Sequence, residues 1–265
     1  MSNQKSKASG FNFMSALVAI IIAIGIGVVV YLFVLGNPAN FDAEGHPKPG
    51  NFLGMMYKGG FIVPLLIGIL IIVITFSVER FITIAKAKGK GNTTDFVVKI
   101  KSLVAAHQYD EAIATCDKQK GSLANVVRAG VEKLKFVQGD NSLDKETKIA
   151  AIQKEIEEAT ALELPMLSQN LVIISTCASI ATLWGLIGTV LGMIRSFAAL
   201  ASAGSPDTSA LSQGISEALI NTALGIGASV LGIIAYNYFS TRVDAITYSM
   251  DEAGFTIVQS VNASK

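Results

Sequence analysis

Four long apolar runs constrain this chain more than any other feature. They are Ser15–Leu35, Phe61–Val78, Leu171–Ile194 and Ile215–Phe239, and the only Asp, Glu, Lys, Arg or His inside any of them is Glu217. A hydrocarbon core of about 30 Å takes about 20 residues of helix to cross. Backbone in lipid must satisfy its own polar groups, which selects helices over strands for runs of this length. The expected fold class is therefore an all-α integral membrane protein with four transmembrane helices. Composition agrees: 51% of residues are hydrophobic and 15% charged, with a mean hydropathy of +0.51. Lys5 and Lys7 precede the first run as in a signal peptide, but a signal h-region is only about 7 to 15 residues, so the run is read as a retained anchor. The 21 Lys and Arg nearly balance 20 Asp and Glu, leaving no basic excess to recruit nucleic acid.

Basic residues flanking the runs set the expected orientation. Lys5 and Lys7 precede the first; Arg80, Lys86, Lys88 and Lys90 follow the second; Arg242 follows the fourth; Ala201–Gln213 has none. Lys48 and Lys58 oppose this pattern but are fewer. Both termini are placed inside. The chain then divides into an inner N-terminal segment 1–14, a span 15–35, an outer loop 36–60 and a span 61–78. An inner helical domain 79–165 follows, then a span with its inner extension 166–200, an outer turn 201–213, a span 214–240 and an inner C-terminal segment 241–265. Pro38, Pro47, Pro49 and several glycines make the first outer loop irregular, and Ala203–Asp207 is the second outer turn.

Between Glu79 and Glu163 the apolar residues recur at helical spacing. Phe96, Ile100, Leu103 and Val104 form one stripe, and Leu123, Val126, Val127, Val131 and Leu134 a second. Ile149, Ile152, Ile156, Ala159 and Leu162 form a third. Asn141–Asp144 offers caps for the third helix. Its pattern runs through Pro165 almost into the third span, so one long helix is expected to project from the membrane, bent where Pro165 removes a donor. This domain carries no Gly-rich phosphate loop and no paired Cys or His ligand spacing. His46 and His107 are read as solvated, Cys116 and Cys177 as small apolar residues, and Glu79 with Arg80 as an interfacial anchor. Neither an enzyme nor a metal or cofactor site is expected.

Along the third run and its continuation to residue 200, Ser175, Thr182, Thr189 and Ser196 are each seven apart, and Ser179 joins the same face. The fourth run repeats the register with Thr222 and Ser229, with Asn221 beside them and Gly225 and Gly232 interleaved. Gly188 and Gly192 have the GxxxG spacing that lets helices approach closely in lipid. Two roles remain open on pattern alone: helix packing with hydroxyls bonded to their own helix, or a polar path. Glu217 fits an ion path, because an ionisable group within a span faces a bundle interior or water, or a helix-start charge. Arg195 has a stem long enough to snorkel to the headgroups.

GLIGTVLGMIRSF, from Gly185, resembles the signature of the MotA/TolQ/ExbB proton-channel family. GISEALINTALGIGASVLGIIAYNYF, Gly214–Phe239, resembles that family's final helix, and HQYDEAIATCDKQKGSLANVVRAGV the inner region of its ExbB and TolQ branch. The match covers roughly Phe61 to Thr241. It implies a homo-oligomer, a pentamer, in the bacterial inner membrane, with the outer segments periplasmic and both termini cytoplasmic. The last two helices line a pore that holds the single helices of an ExbD- or TolR-like partner. Protons are the transported ion, and their flow drives a TonB- or TolA-like protein. By motif position the resemblance implies an ion pathway through Thr189, Thr222 and Glu217, with Ser175, Ser179, Thr182, Ser229 and Asn221 as polar pore-lining residues. Gly185, Gly188, Gly192, Gly225 and Gly232 serve helix packing. The expected role is ExbB-like. Its alternatives are a TolQ-like subunit, a gliding-type or MotA-like stator, and, outside the family, a structural scaffold. Thr182 and Ala228–Ser229–Val230 stand where the family usually has a proline, which removes the expected kinks, and the first helix is additional to the family's three spans.

Overall fold

The computed structural model describes residues 13–139, 142–202 and 208–263. Lys5 and Lys7, Asn141 and the Ala203–Asp207 turn lie outside the described residues. In chain order the helices are α1 Phe13–Val29, prolonged by a π turn Val30–Leu35, α2 Phe52–Tyr57, α3 Val63–Ala87 and α4 Thr93–Ala105. They continue with α5 Tyr109–Gln119, α6 Ser122–Gln138, α7 Lys145–Ser168, α8 Leu171–Ser202 and α9 Thr208–Ala263. Among the described residues the only extended pairing is an isolated bridge between Phe41 and Pro47. Among the described residues, helices long and apolar enough to cross a membrane occur in four places: Met14–Leu35, Gly60–Ala87, Lys145–Ala201 and Thr208–Val261. The protein is thus all-α with four candidate spans. It divides into two compact units, one formed by the residues up to Val78 with Val172–Tyr236, the other by Glu79–Leu171 with Asn237 onward.

In the first unit α1 touches α3 where Ala23 is buried and the Gly68 backbone comes within reach of Ile24. Its remaining faces, including Ile21, Ile22, Val29 and Phe33, are exposed apolar surface. The loop that follows is more regular than its prolines and glycines suggest. Buried Asn40 donates through Nδ2 to the carbonyls of Val34 and Leu35 at 2.8 and 2.9 Å, satisfying groups that a helix end leaves open. Asn51 caps α2 by accepting from the Gly54 amide at 3.0 Å and donates to Asn40 Oδ1 at 3.1 Å. Tyr31 stacks on Tyr57 with ring centroids 4.6 Å apart. Asparagine side chains supply local partners here that no hydrophobic periodicity reveals.

In the second unit the stripes of α4 and α6 are buried in full: Phe96, Ile100, Leu103 and Val104, then Leu123, Val126, Val127, Val131 and Leu134. On α7 the buried positions are Ile152, Ile156 and Leu167, whereas Leu162 is 80% exposed. The correction is a matter of helical phase. Counting on from Ile149, Ile152, Ile156 and Ala159, the inward position is 163, and Glu163 there accepts from Asn125 Nδ2 at 2.8 Å. Cys116 is buried in this core, and desolvation pushes its thiol up to about 12, so it stays protonated and inert at neutral pH.

The expected bend at Pro165 is displaced. Helix α7 runs through Pro165 and ends at Ser168, and the break falls at Gln169 and Asn170, the latter at φ +61°. Arg80 fills this break. Its Nη1 donates to the carbonyls of Met166 and Leu167 at 3.1 and 3.3 Å, and its Nε donates to Glu79 Oε2 at 2.6 Å. Glu79 also accepts from Thr83 Oγ1 at 2.9 Å and Asn170 Nδ2 at 3.2 Å. Arg80 is only 1% exposed. The interfacial anchor expected of this pair is therefore a buried cap for the last turn of α7, where cations are favoured. The uninterrupted long helix is α9, with 56 residues.

Candidate functional site

Helices α8 and α9 meet through small residues. A Cβ built on Gly225 would lie 2.6 Å from the Ala181 carbonyl oxygen and 2.8 Å from Gly185 Cα, so neither backbone could approach this closely with a side chain present. Gly185, Gly188, Gly192 and Gly232 face the partner helix in the same way, against the Asn221 carbonyl and side chain, the Gly214 carbonyl and Ala178. Gly214, opposite Gly192 and Ser196, belongs to the same seam; its lone position at the start of the final motif gave no sign of it. Substituting alanine at Gly225 is expected to force the helices apart and destabilise the protein by about 1–3 kcal/mol. Gly227, two residues on, has open space around it, and alanine there is expected to be neutral or mildly stabilising. Thermal unfolding of the two variants in detergent checks the contrast.

On this seam the side-chain hydroxyls of Thr189 and Thr222 hydrogen-bond to each other. The hydroxyl that accepts in this pair donates to a carbonyl of its own helix, the acceptors in reach being the Gly185 carbonyl at 3.2 Å for Thr189 and the Ala218 carbonyl at 3.2 Å for Thr222. Both side chains are half-buried. The other polar residues of the register do not share one environment. Ser175 and Ser179 donate to carbonyls of their own helix, Val172 and Ser175, at 3.0 and 3.2 Å, and Thr182 is exposed. Ser196 is wholly buried and donates to the Leu211 carbonyl at 3.1 Å. Ser229 is 7% exposed. Asn221 is enclosed within the chain rather than on an open face: its Nδ2 donates to the Gly59 carbonyl at 2.8 Å, and its Oδ1 has no partner.

Near the joined end of α8 and α9, Arg195 pairs with Glu217. Arg195 thus reaches across to α9 instead of only extending its stem outward. Its guanidinium carbon also lies 5.7 Å from the centroid of the Phe61 ring. The Glu217 carboxylate rests against Gly60, whose φ is +77° and where a Cβ would stand 2.5 Å from Glu217 Oε1. Sequence pattern placed Glu217 and Arg195 separately, 22 residues apart, and only the hairpin brings them together.

Fold and site define a class: an all-α integral membrane protein whose last two spans close on one another through small residues and hold polar side chains along apolar helices. The chain belongs to the MotA/TolQ/ExbB proton channel family, whose sequence profile matches residues 118–252. It is 30% identical over 138 residues to the Tol-Pal system protein TolQ of Pseudomonas aeruginosa, covering 52% of this chain and 59% of that one. With the Tol-Pal system protein TolQ of Haemophilus influenzae it is 28% identical over 203 residues, 74% of this chain and 87% of the relative. With the biopolymer transport protein ExbB of Pseudomonas putida it is 27% identical over 161 residues, 60% and 48% of the two chains.

Proposed function

We propose that this chain is the channel-forming stator subunit of a motor in the bacterial inner membrane, driven by the proton motive force. The observation that carries this is the hydroxyl pair Thr189–Thr222, bonded across two otherwise apolar helices. Hydroxyls both donate and accept, and polar groups at membrane depth mark ion paths. In this proposal α8 and α9 of five copies surround a pore holding the single helix of an ExbD- or TolR-like partner. Protons pass along the polar face formed by Thr189 and Thr222 under the control of Glu217. Both termini are cytoplasmic, and the joined end of α8 and α9 is periplasmic. The motion is delivered to a TonB-like protein that energises transport across the outer membrane.

The test is reconstitution of the full chain with its co-purified single-span partner in potassium-loaded vesicles. Imposing a valinomycin potential is expected to drive proton uptake that needs both proteins; an intact complex that passes no protons at any potential refutes the proposal. A TolQ-like role in envelope integrity is the second reading, favoured by the alignment over 87% of the Haemophilus TolQ. Capture of a TolA-like rather than a TonB-like protein by the complex would select it.

A further inference from the structure

Glu217 does not share a face with the hydroxyl pair. At about 100° per residue, Thr222 is turned by roughly 140° from Glu217 around α9. The contacts agree with that phase. Ala218 and Thr222, one turn apart, meet α8 at Gly192 and Thr189. Glu217 and Asn221, also one turn apart, reach the segment that leads into α3, at Gly60 and Gly59, and Asn221 packs in addition against Gly188 of α8. The Glu217 side chain is 11% exposed and Arg195 51%, so the carboxylate is the enclosed member of the pair and the guanidinium the accessible one. Gly60 leaves the space that the carboxylate fills, and Phe61 lies beside the guanidinium.

We propose that Arg195 and Glu217 form a gate at the joined end of α8 and α9. In the closed state, the one seen here, Arg195 holds the Glu217 carboxylate in the recess at Gly60, turned away from the hydroxyl path. The path opens when the accessible guanidinium is drawn off and the carboxylate is released from the recess. Arg195 is in this sense a positioning residue, acting through Glu217. The gate rests on the proton-channel reading above.

The experiment measures potential-driven proton flux per assembled complex, in vesicles carrying the full chain and its co-purified partner, with assembly counted by native mass spectrometry. Arg195→Gln is expected to leave the assembly count unchanged and to raise the resting flux at least about fivefold, the low end of a coupling between two states. Arg195→Lys retains the cation and is expected to stay near the unmodified level. If Arg195→Gln lowers the assembly count while flux per complex stays the same, the pair is a structural clasp and the gate is refuted. It is also refuted if flux per complex falls. Failure of the underlying channel reading looks different: the unmodified complex itself then carries no flux.

Discussion

Replacing Thr222 by valine is expected to stop proton-driven work while leaving the complex assembled. Valine keeps the shape of threonine and removes only the hydroxyl, so the seam that Gly185 and Gly225 make between α8 and α9 is undisturbed. The lost interhelical hydrogen bond contributes little: such bonds in a membrane protein average about 0.6 kcal/mol and reach about 1.7 kcal/mol. No buried donor is orphaned either, since Thr189 retains the Gly185 carbonyl as acceptor at 3.2 Å. A packing role for the hydroxyls therefore predicts a variant that is almost normal in every respect. A path role predicts a fall in flux of about tenfold or more, equivalent to about 1.4 kcal/mol of added barrier. Flux per complex, measured beside the assembly count, separates the two. Undiminished flux in Thr222→Val would remove this hydroxyl from the path.

Much of this was legible in the sequence because membrane helices are written in composition and phase. The four apolar runs needed only length and charge to be seen. The stripes of α4 and α6 needed only a period of 3.6, and every residue assigned to them is buried. Small residues at Gly185, Gly188, Gly192, Gly225 and Gly232 announced a close approach, although which atoms they approach depends on the hairpin. Legibility ended where a partner lies far along the chain or where one residue shifts the phase. Leu162 continued an apolar pattern but sits one position out of register. Pro165 looked like the bend, yet a helix can pass through a proline when its neighbours stay packed, and the turn was made instead at Asn170, whose side chain favours left-handed backbone. Arg195 and Glu217 each had a sufficient local explanation, snorkelling for one and a helix-start charge for the other. Their pairing is a fact of tertiary structure.

Arg80 is the sharpest case, and its replacement by methionine is expected to be the most destabilising single change. The sequence places an arginine just beyond an apolar run, where a long cation ordinarily reaches the headgroups; removing such a surface residue alters stability by about 0.5 kcal/mol or less. Its burial changes the expectation. Methionine would fill much of the volume but leave the carbonyls of Met166 and Leu167 without their donor and Glu79 without its cation. Each buried carbonyl left without its donor costs about 1–3 kcal/mol, and the half-buried Glu79 carboxylate loses its cation in addition. Lysine is not expected to rescue it, since one ammonium cannot reproduce a planar fork that spans a carboxylate and two carbonyls. The double variant Glu79→Gln with Arg80→Met should recover part of the loss, since no uncompensated charge then remains. Thermal unfolding and limited proteolysis of the purified chain in detergent would rank the variants. If Arg80→Met is as stable as the unmodified protein, Arg80 is an ordinary interfacial residue and the break at Asn170 is held by the backbone alone.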